Sequence, residues 1–399
     1  MILPLSTLLL VPAAAVAAVL AATLIGRWVA IPLVVFEIVL GLLIGPSVLG
    51  WVDPGQFITI TSNFGLVLLF FFAGSEIDFA AIRGRPLTRA ALGWVISIVV
   101  GVLLGLVFAP SASAGVYVGV ALASTALGTI MPMLRDAGEL TTPFGRAVTA
   151  VGAVGEFGPL LAISLFLSGR KPGTATVVLL GFALIAGLAI WLAARGSTVR
   201  VHRLMDATMH SSGQFAVRLI VLLMAALAGL SVWLGIDMLL GAFAAGVTYR
   251  VLASHADVHM REVVESKLEG IGFGFFVPIF FIDTGLTYDL DALTSDVHAL
   301  LMLPVFVVLL LIVRGLPSTL AAPLGAPAVD RRALALFGAT ALPIIVAVTD
   351  IGVDHGDLKP ATAASLVGAG MISVLLFPLL GLSQRRRQLD VKPLSPSTS

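Results

Sequence analysis

Apolar runs of 18 residues or more, rich in Leu, Val, Ala, Gly and Phe, recur along nearly the whole chain. A helix of about 20 such residues crosses the ~30 Å hydrocarbon core of a bilayer. In lipid a run of that kind can satisfy its own backbone N–H and C=O groups only as a helix, because an open strand leaves its edges unpaired. Charged residues make up 11% of the 399 positions and hydrophobic residues 59%, against roughly a quarter charged in soluble domains. The expected class is therefore an all-α polytopic membrane protein. Breaking the chain at Pro, Gly and charge clusters gives about thirteen transmembrane helices: 5–25, 30–49, 58–78, 90–109, 114–134, 143–168, 174–194, 213–233, 235–250, 268–288, 299–320, 332–351 and 361–382.

Charge placement orients these spans. Loops after odd-numbered spans, with the C-terminal tail, hold eighteen Lys and Arg residues, whereas loops after even-numbered spans hold three, Arg170, Lys171 and Lys359. The positive-inside rule then sets the N-terminus outside and the C-terminus in the cytoplasm. The first run, from Ile2, has no basic residue before it and reads as a spanning helix rather than a signal peptide. Residues 1–382 form one transmembrane domain. Residues 383–399 form a short basic tail ending in PLSPSTS, a composition expected to be disordered. A net charge of +1 argues against nucleic acid as a partner. The chain has no cysteine, so no thiolate metal site can form, and only His255 and His259 have metal-ligand spacing, on a charged connector. No metal site and no cofactor are expected.

Two stretches read as weakened helices, Ser124 to Pro132 in ALASTALGTIMP and Ala339 to Pro343 in FGATALPII. Paired interruptions of this kind are the sequence pointer to a mid-membrane site in transporters. Glu156 stands near the centre of its span, with no other ionisable group between Arg146 and Arg170. A charged group there costs about 2.5 to 3.5 kcal/mol to insert, which makes it a functional candidate. Gly152, Gly155 and Gly158 flank it and allow close helix approach. A buried carboxyl binds either a proton or a bare cation, so the two occupants exclude each other, and that competition yields exchange. Arg314 is the only basic residue well inside a span and needs a partner: Glu156, Asp283 or the carbonyl ends of an interrupted helix. Asp283 lies in an otherwise apolar segment and is a candidate for the pathway or for compensating Arg314. Asp350 reads as a wet helix end, and Glu37, Glu76 and Asp78 as packing or surface pairs.

Four segments together resemble the monovalent cation:proton antiporter superfamily, in its bacterial branch of sodium/proton and potassium-efflux exchangers. They are Glu37 to Trp51, Leu66 to Phe79, the pair Ser124 to Ala147 with Leu240 to Gly246, and FFVPIFFIDTGLTYDL around Asp283. The resemblance implies a fold in which two interrupted helices cross at the midplane, here at Ser124–Thr125 and Thr340–Ala341. It implies an ion-binding carboxylate after the TPxGR stretch, which Glu156 matches, with Ser124, Thr125 and Thr340 as further ion ligands. It also implies a basic residue before the second interrupted helix, matched by Arg314. Relatives commonly carry Asp, Asn or Gln where this chain has Gly155, and their acid is usually Asp. The implied function is exchange of Na+ or K+ for H+ in the bacterial inner membrane, by a homodimer that is a secondary transporter rather than an enzyme. A single carboxylate suggests electroneutral exchange. The alternative is a repurposed exchanger fold that binds or processes a lipophilic substrate, with the Gly-rich face widening a pocket, and a third reading is a carrier of organic solutes.

Overall fold

The computed structural model describes residues 5–26, 31–109, 111–167, 172–195, 214–254 and 258–391, and His255 and the last residues of the tail lie outside these. Among the described residues every regular element is a helix. Eleven helical stretches are long and apolar enough to cross a membrane. Two further expected spans are shorter apolar helices. The first, 30–49, is the helix Leu33–Ile44 of 12 residues, and the second, 235–250, is Met238–Ala253 of 16 residues. At 1.5 Å per residue these rise about 18 and 24 Å. Local chemistry stops them. Gly45 and Pro46 follow Ile44, and a helix tends to end before a proline. Met238–Ala253 starts only after Gly235 in the left-handed region, where Asp237 caps Leu239 N–H at 2.8 Å.

The chain divides into two compact units. The first comprises Met1–Ala21, Phe36–Asp78 and Leu160–Tyr288. Its centre is the contact between helices Gln56–Glu76 and Met238–Ala253. A Cβ at Gly74 would overlap the Phe243 carbonyl, and one at Gly246 would overlap the Phe71 carbonyl. Two backbones this close exclude any larger residue at either position, which is how helices gain packing where lipid supplies no hydrophobic drive. Phe72 stacks on Phe273 at 4.9 Å beside them, and Asp78 pairs with Arg250 at 3.6 Å.

The second unit comprises Ala22–Val35, Phe79–Pro159 and Asp289–Ser399. Burial grades it from centre to rim. The stretches Ala112–Arg135 and Ala328–Asp354 are 89% and 78% buried over their most apolar windows, whereas Arg85–Val107 is 28% buried. The two central stretches are the ones that break. Ala112–Leu122 and Leu127–Asp136 are separated by residues 123–126, and Ala328–Gly338 and Pro343–Asp354 by residues 339–342. Both gaps fall near the middle of their spans, as the sequence predicts. Asp350 is exposed.

The last helix, Pro360–Val391, continues beyond position 382. Arg385 on it is nearly buried and holds three elements at once. Its Nε and Nη2 donate to Glu139 Oε1 at 3.2 and 2.9 Å, its Nη1 donates to Asp330, and its guanidinium lies 3.7 Å from the centroid of the Phe144 ring. Thr142 donates to the other oxygen of Glu139 at 2.8 Å. Removing one member of such a nearly buried cluster leaves the others uncompensated. Arg385→Ala is expected to lose about 3 kcal/mol of stability, seen as a lower temperature of loss of the monodisperse species on heating in detergent, while Arg332→Ala, at an exposed arginine, leaves it unchanged.

Candidate functional site

The site is built by a proline. In helix Pro143–Ala162, Pro159 has no N–H to offer the carbonyl four residues back, Gly155. That carbonyl accepts instead from the Thr125 N–H at 2.9 Å, in the gap of the first interrupted helix. One turn of Pro159 chemistry therefore ties the helix carrying Glu156 to the place where the central helix breaks.

The second interrupted helix joins at the same point. Ala126 N–H donates to the Thr340 carbonyl at 2.8 Å, and Thr125 Oγ1 donates to the Gly338 carbonyl at 2.6 Å. These acceptors lie at the C-terminal end of Ala328–Gly338 and the donors beside the N-terminal end of Leu127–Asp136. The negative end of one helix dipole thus meets the positive end of another. Ser373 completes the crossing from the last helix. Its Oγ accepts from Ala341 N–H and lies 3.0 Å from the Ala341 carbonyl. Broken helices leave orphan backbone groups, and here those groups satisfy each other across the crossing.

Arg314 enters from a π-helical stretch, Leu310–Gly315, that widens the helix where it passes the crossing. It is fully buried. Its Nε donates to Thr125 Oγ1 at 2.8 Å and its Nη2 to the Val151 carbonyl at 2.7 Å, while Nη1 has no hydrogen-bond partner among the described residues. Thr125 Oγ1 therefore both accepts and donates, linking the guanidinium to the Gly338 carbonyl. The hydrogen bonds of Arg314 use a hydroxyl and the carbonyl of Val151, which lies within helix Pro143–Ala162 and not at the carbonyl end of an interrupted helix.

Gly155 explains how so large a group fits. A Cβ at this position would overlap Arg314 Nη2 and would come within 2.5 Å of Thr125 Oγ1. The missing side chain is a notch, and the guanidinium fills it against the backbone of the residue preceding Glu156. Glu156 itself is 1% exposed.

The expected site residues separate into two groups. Glu156, Thr125, Ser124, Thr340 and Arg314 all belong to the second unit and all are buried. Ser124 and Thr340 direct their hydroxyls at their own helix carbonyls, Ala121 at 2.7 Å and Leu336 at 3.0 Å. Asp283 belongs to the first unit, in helix Val277–Leu286, where it is buried. Glu37 is buried in the same unit. Sequence reasoning passed over Pro159, Ser373 and the carbonyls of Val151, Gly155 and Gly338. Pro159, three residues after the key acid, carried a readable signal, since a proline within a spanning helix frees a carbonyl. A backbone acceptor carries none.

Chemically, the arrangement is a buried acid one residue after the glycine that houses a buried guanidinium, at a crossing of two broken helices with fixed backbone dipoles. The chain is 29% identical over 322 residues to the Na(+)/H(+)-K(+) antiporter GerN of Bacillus cereus, covering 77% of this chain and 80% of that one. It is 25% identical over 382 residues to a Na(+)/H(+) antiporter of Enterococcus hirae, covering 91% and 95%. The fold matches the structure of the sodium proton antiporter MjNhaP1 from Methanocaldococcus jannaschii with a TM-score of 0.61 at 15% identity, over 96% of this chain and 97% of that one. Residues 15–381 match the family described as sodium/hydrogen exchanger, transmembrane. The chain belongs to that sodium/hydrogen exchanger family.

Proposed function

We propose that this protein exchanges Na+ or K+ for H+ through competition of cation and proton at Glu156. The observation that carries the reading is the burial of Glu156 directly after Gly155, whose carbonyl is bonded into the gap of an interrupted helix, in a chain of the exchanger family. Ser124, Thr125 and Thr340 border the same gaps and supply oxygen atoms from which a dehydrated cation could be coordinated. The name of GerN couples Na+, H+ and K+, which supports both cations as substrates. The reading extends to a homodimer in the inner membrane, with the N-terminus outside and the C-terminus in the cytoplasm.

A single carboxylate gives the exchange its stoichiometry in this reading. One proton or one monovalent cation adds the same single charge to it, and the fixed charge of Arg314 stays with the protein throughout. The two half-cycles carry equal charge, so exchange is electroneutral. The reading in which the fold processes a lipophilic substrate drew on space opened by Gly155, and Arg314 and Thr125 take up that space.

In proteoliposomes loaded with a pH dye, addition of Na+ or K+ is expected to move protons in the natural protein and to move none in Glu156→Gln. Cation-driven proton flux that persists in the variant refutes Glu156 as the shared site. An imposed membrane potential is expected to leave the initial exchange rate unchanged, and a current on a solid-supported membrane that scales with protein would overturn the electroneutral assignment. Gly155→Ala pushes a methyl into the guanidinium and is expected to destabilise the fold by about 1 to 3 kcal/mol, as overpacking does, with a matching fall in exchange. Wild-type stability in that variant would mean that the notch does not hold Arg314.

A further inference from the structure

Away from the crossing, the second unit carries a cleft of about 310 Å³ lined by Arg85, Arg89 and Arg331 together with Thr319, Leu320 and Leu324. No carboxylate lines it. Arg85 and Arg89 stand four apart on one helix and so on one face, and Arg331 comes from the first turns of Ala328–Gly338. Arg85 Nη1 donates to the Ala322 carbonyl at 3.2 Å, which fixes that guanidinium on the opposite wall. The side chains of Arg89 and Arg331 have no hydrogen bond or ion pair among the described residues. The neighbouring acid, Asp330, is engaged by Arg385.

The position of the cleft along the helices specifies what it meets. Arg85 opens the span Arg85–Val107, Ala321 closes Val297–Ala321, and Ala328 opens Ala328–Asp354. All three arginines therefore lie where helices leave the apolar layer, at the depth of lipid phosphates. Arginines scattered at a membrane boundary need no ligand. Here three converge on one cavity, and its lip is apolar. Leu320 and Leu324 line it and are 37% and 82% exposed, and Leu316, four residues before Leu320, is 61% exposed. A planar guanidinium fork matches phosphate oxygens in pairs, and leucines at the rim match acyl chains. The volume holds roughly ten water molecules at ~30 Å³ each, the scale of a phosphoglycerol headgroup.

We propose that the cleft of Arg85, Arg89 and Arg331 binds the phosphate-bearing headgroup of an anionic phospholipid whose acyl chains lie along the leucine rim. Guanidinium recognition alone would serve a free phosphate equally, and the rim selects the lipid. None of the three arginines lies in either gap of the crossing.

The test is lipid binding to the purified full-length protein in detergent, by native mass spectrometry and by the shift in thermal stability. Phosphatidylglycerol, phosphatidylcholine and inorganic phosphate are titrated separately against the natural protein, R89Q/R331Q, R89K/R331K and Arg332→Gln. Phosphatidylglycerol is expected to bind and stabilise the natural protein and Arg332→Gln, with phosphatidylcholine and inorganic phosphate ineffective. The paired glutamine variant is expected to bind phosphatidylglycerol about 30-fold more weakly, from the loss of two basic contacts near an anionic surface, and the paired lysine variant to retain most of the affinity. If the paired glutamine variant does not fold, Arg331→Gln alone is expected to lose about fivefold. Equal binding of the two lipids, or equal phosphatidylglycerol affinity with and without the arginines, overturns the proposal. Stabilisation by inorganic phosphate that matches phosphatidylglycerol and disappears with the arginines overturns the lipid as occupant.

Discussion

A guanidinium buried completely inside a membrane protein must be compensated, and the second unit is organised around that demand. Arg314 is too large and too polar to be enclosed by ordinary helix packing. The chain accommodates it with a π-helical widening of its own helix, a missing side chain at Gly155, and two oxygen acceptors from different elements. Each device weakens regular structure locally. Together they convert a group that would disrupt a spanning helix into the tie between three helices, and Glu156 follows in sequence the glycine that houses it.

The same economy of backbone runs through the crossing. Helix interruptions in lipid are tolerated only where the freed polar groups find partners within the protein. Here the partner of each gap is largely the other gap, with Pro159 and Ser373 contributing one acceptor and one hydroxyl from outside. The polarity of the site thus arises from main-chain dipoles as much as from Ser, Thr, Glu and Arg side chains. The oxygen atoms at the crossing are held by the ends of helices.

Much of this was legible before any coordinates. The helical class followed from apolar run length, and the weakened stretches at Ser124 and Ala339 from the cluster of small residues, hydroxyls and proline in otherwise apolar spans. Glu156 and Arg314 were visible because a charge within 20 apolar residues has few structural reasons to be there. What escaped has two physical causes. Apolar run length does not give helix ends, and Leu33–Ile44 and Met238–Ala253 are shorter than the runs 30–49 and 235–250 because Gly45 and Pro46 close the first and Gly235 and Asp237 delay the second. Partner choice depends on three-dimensional approach, so that Gly155 read as a lost ligand, whereas it is the space into which Arg314 fits. Sequence can show that a residue is missing; it does not show what fills the vacancy.

The bonds from Thr125 N–H to Gly155 and from Ala126 N–H to Thr340 involve only main-chain atoms. Every amino acid except proline in the donor position supplies them. The bonds themselves do not depend on those side chains, although Gly155 and Thr125 are fixed for a second reason, the fit of the Arg314 guanidinium. The join between the two broken helices is thus written into the main chain, and the side chains add to it rather than create it.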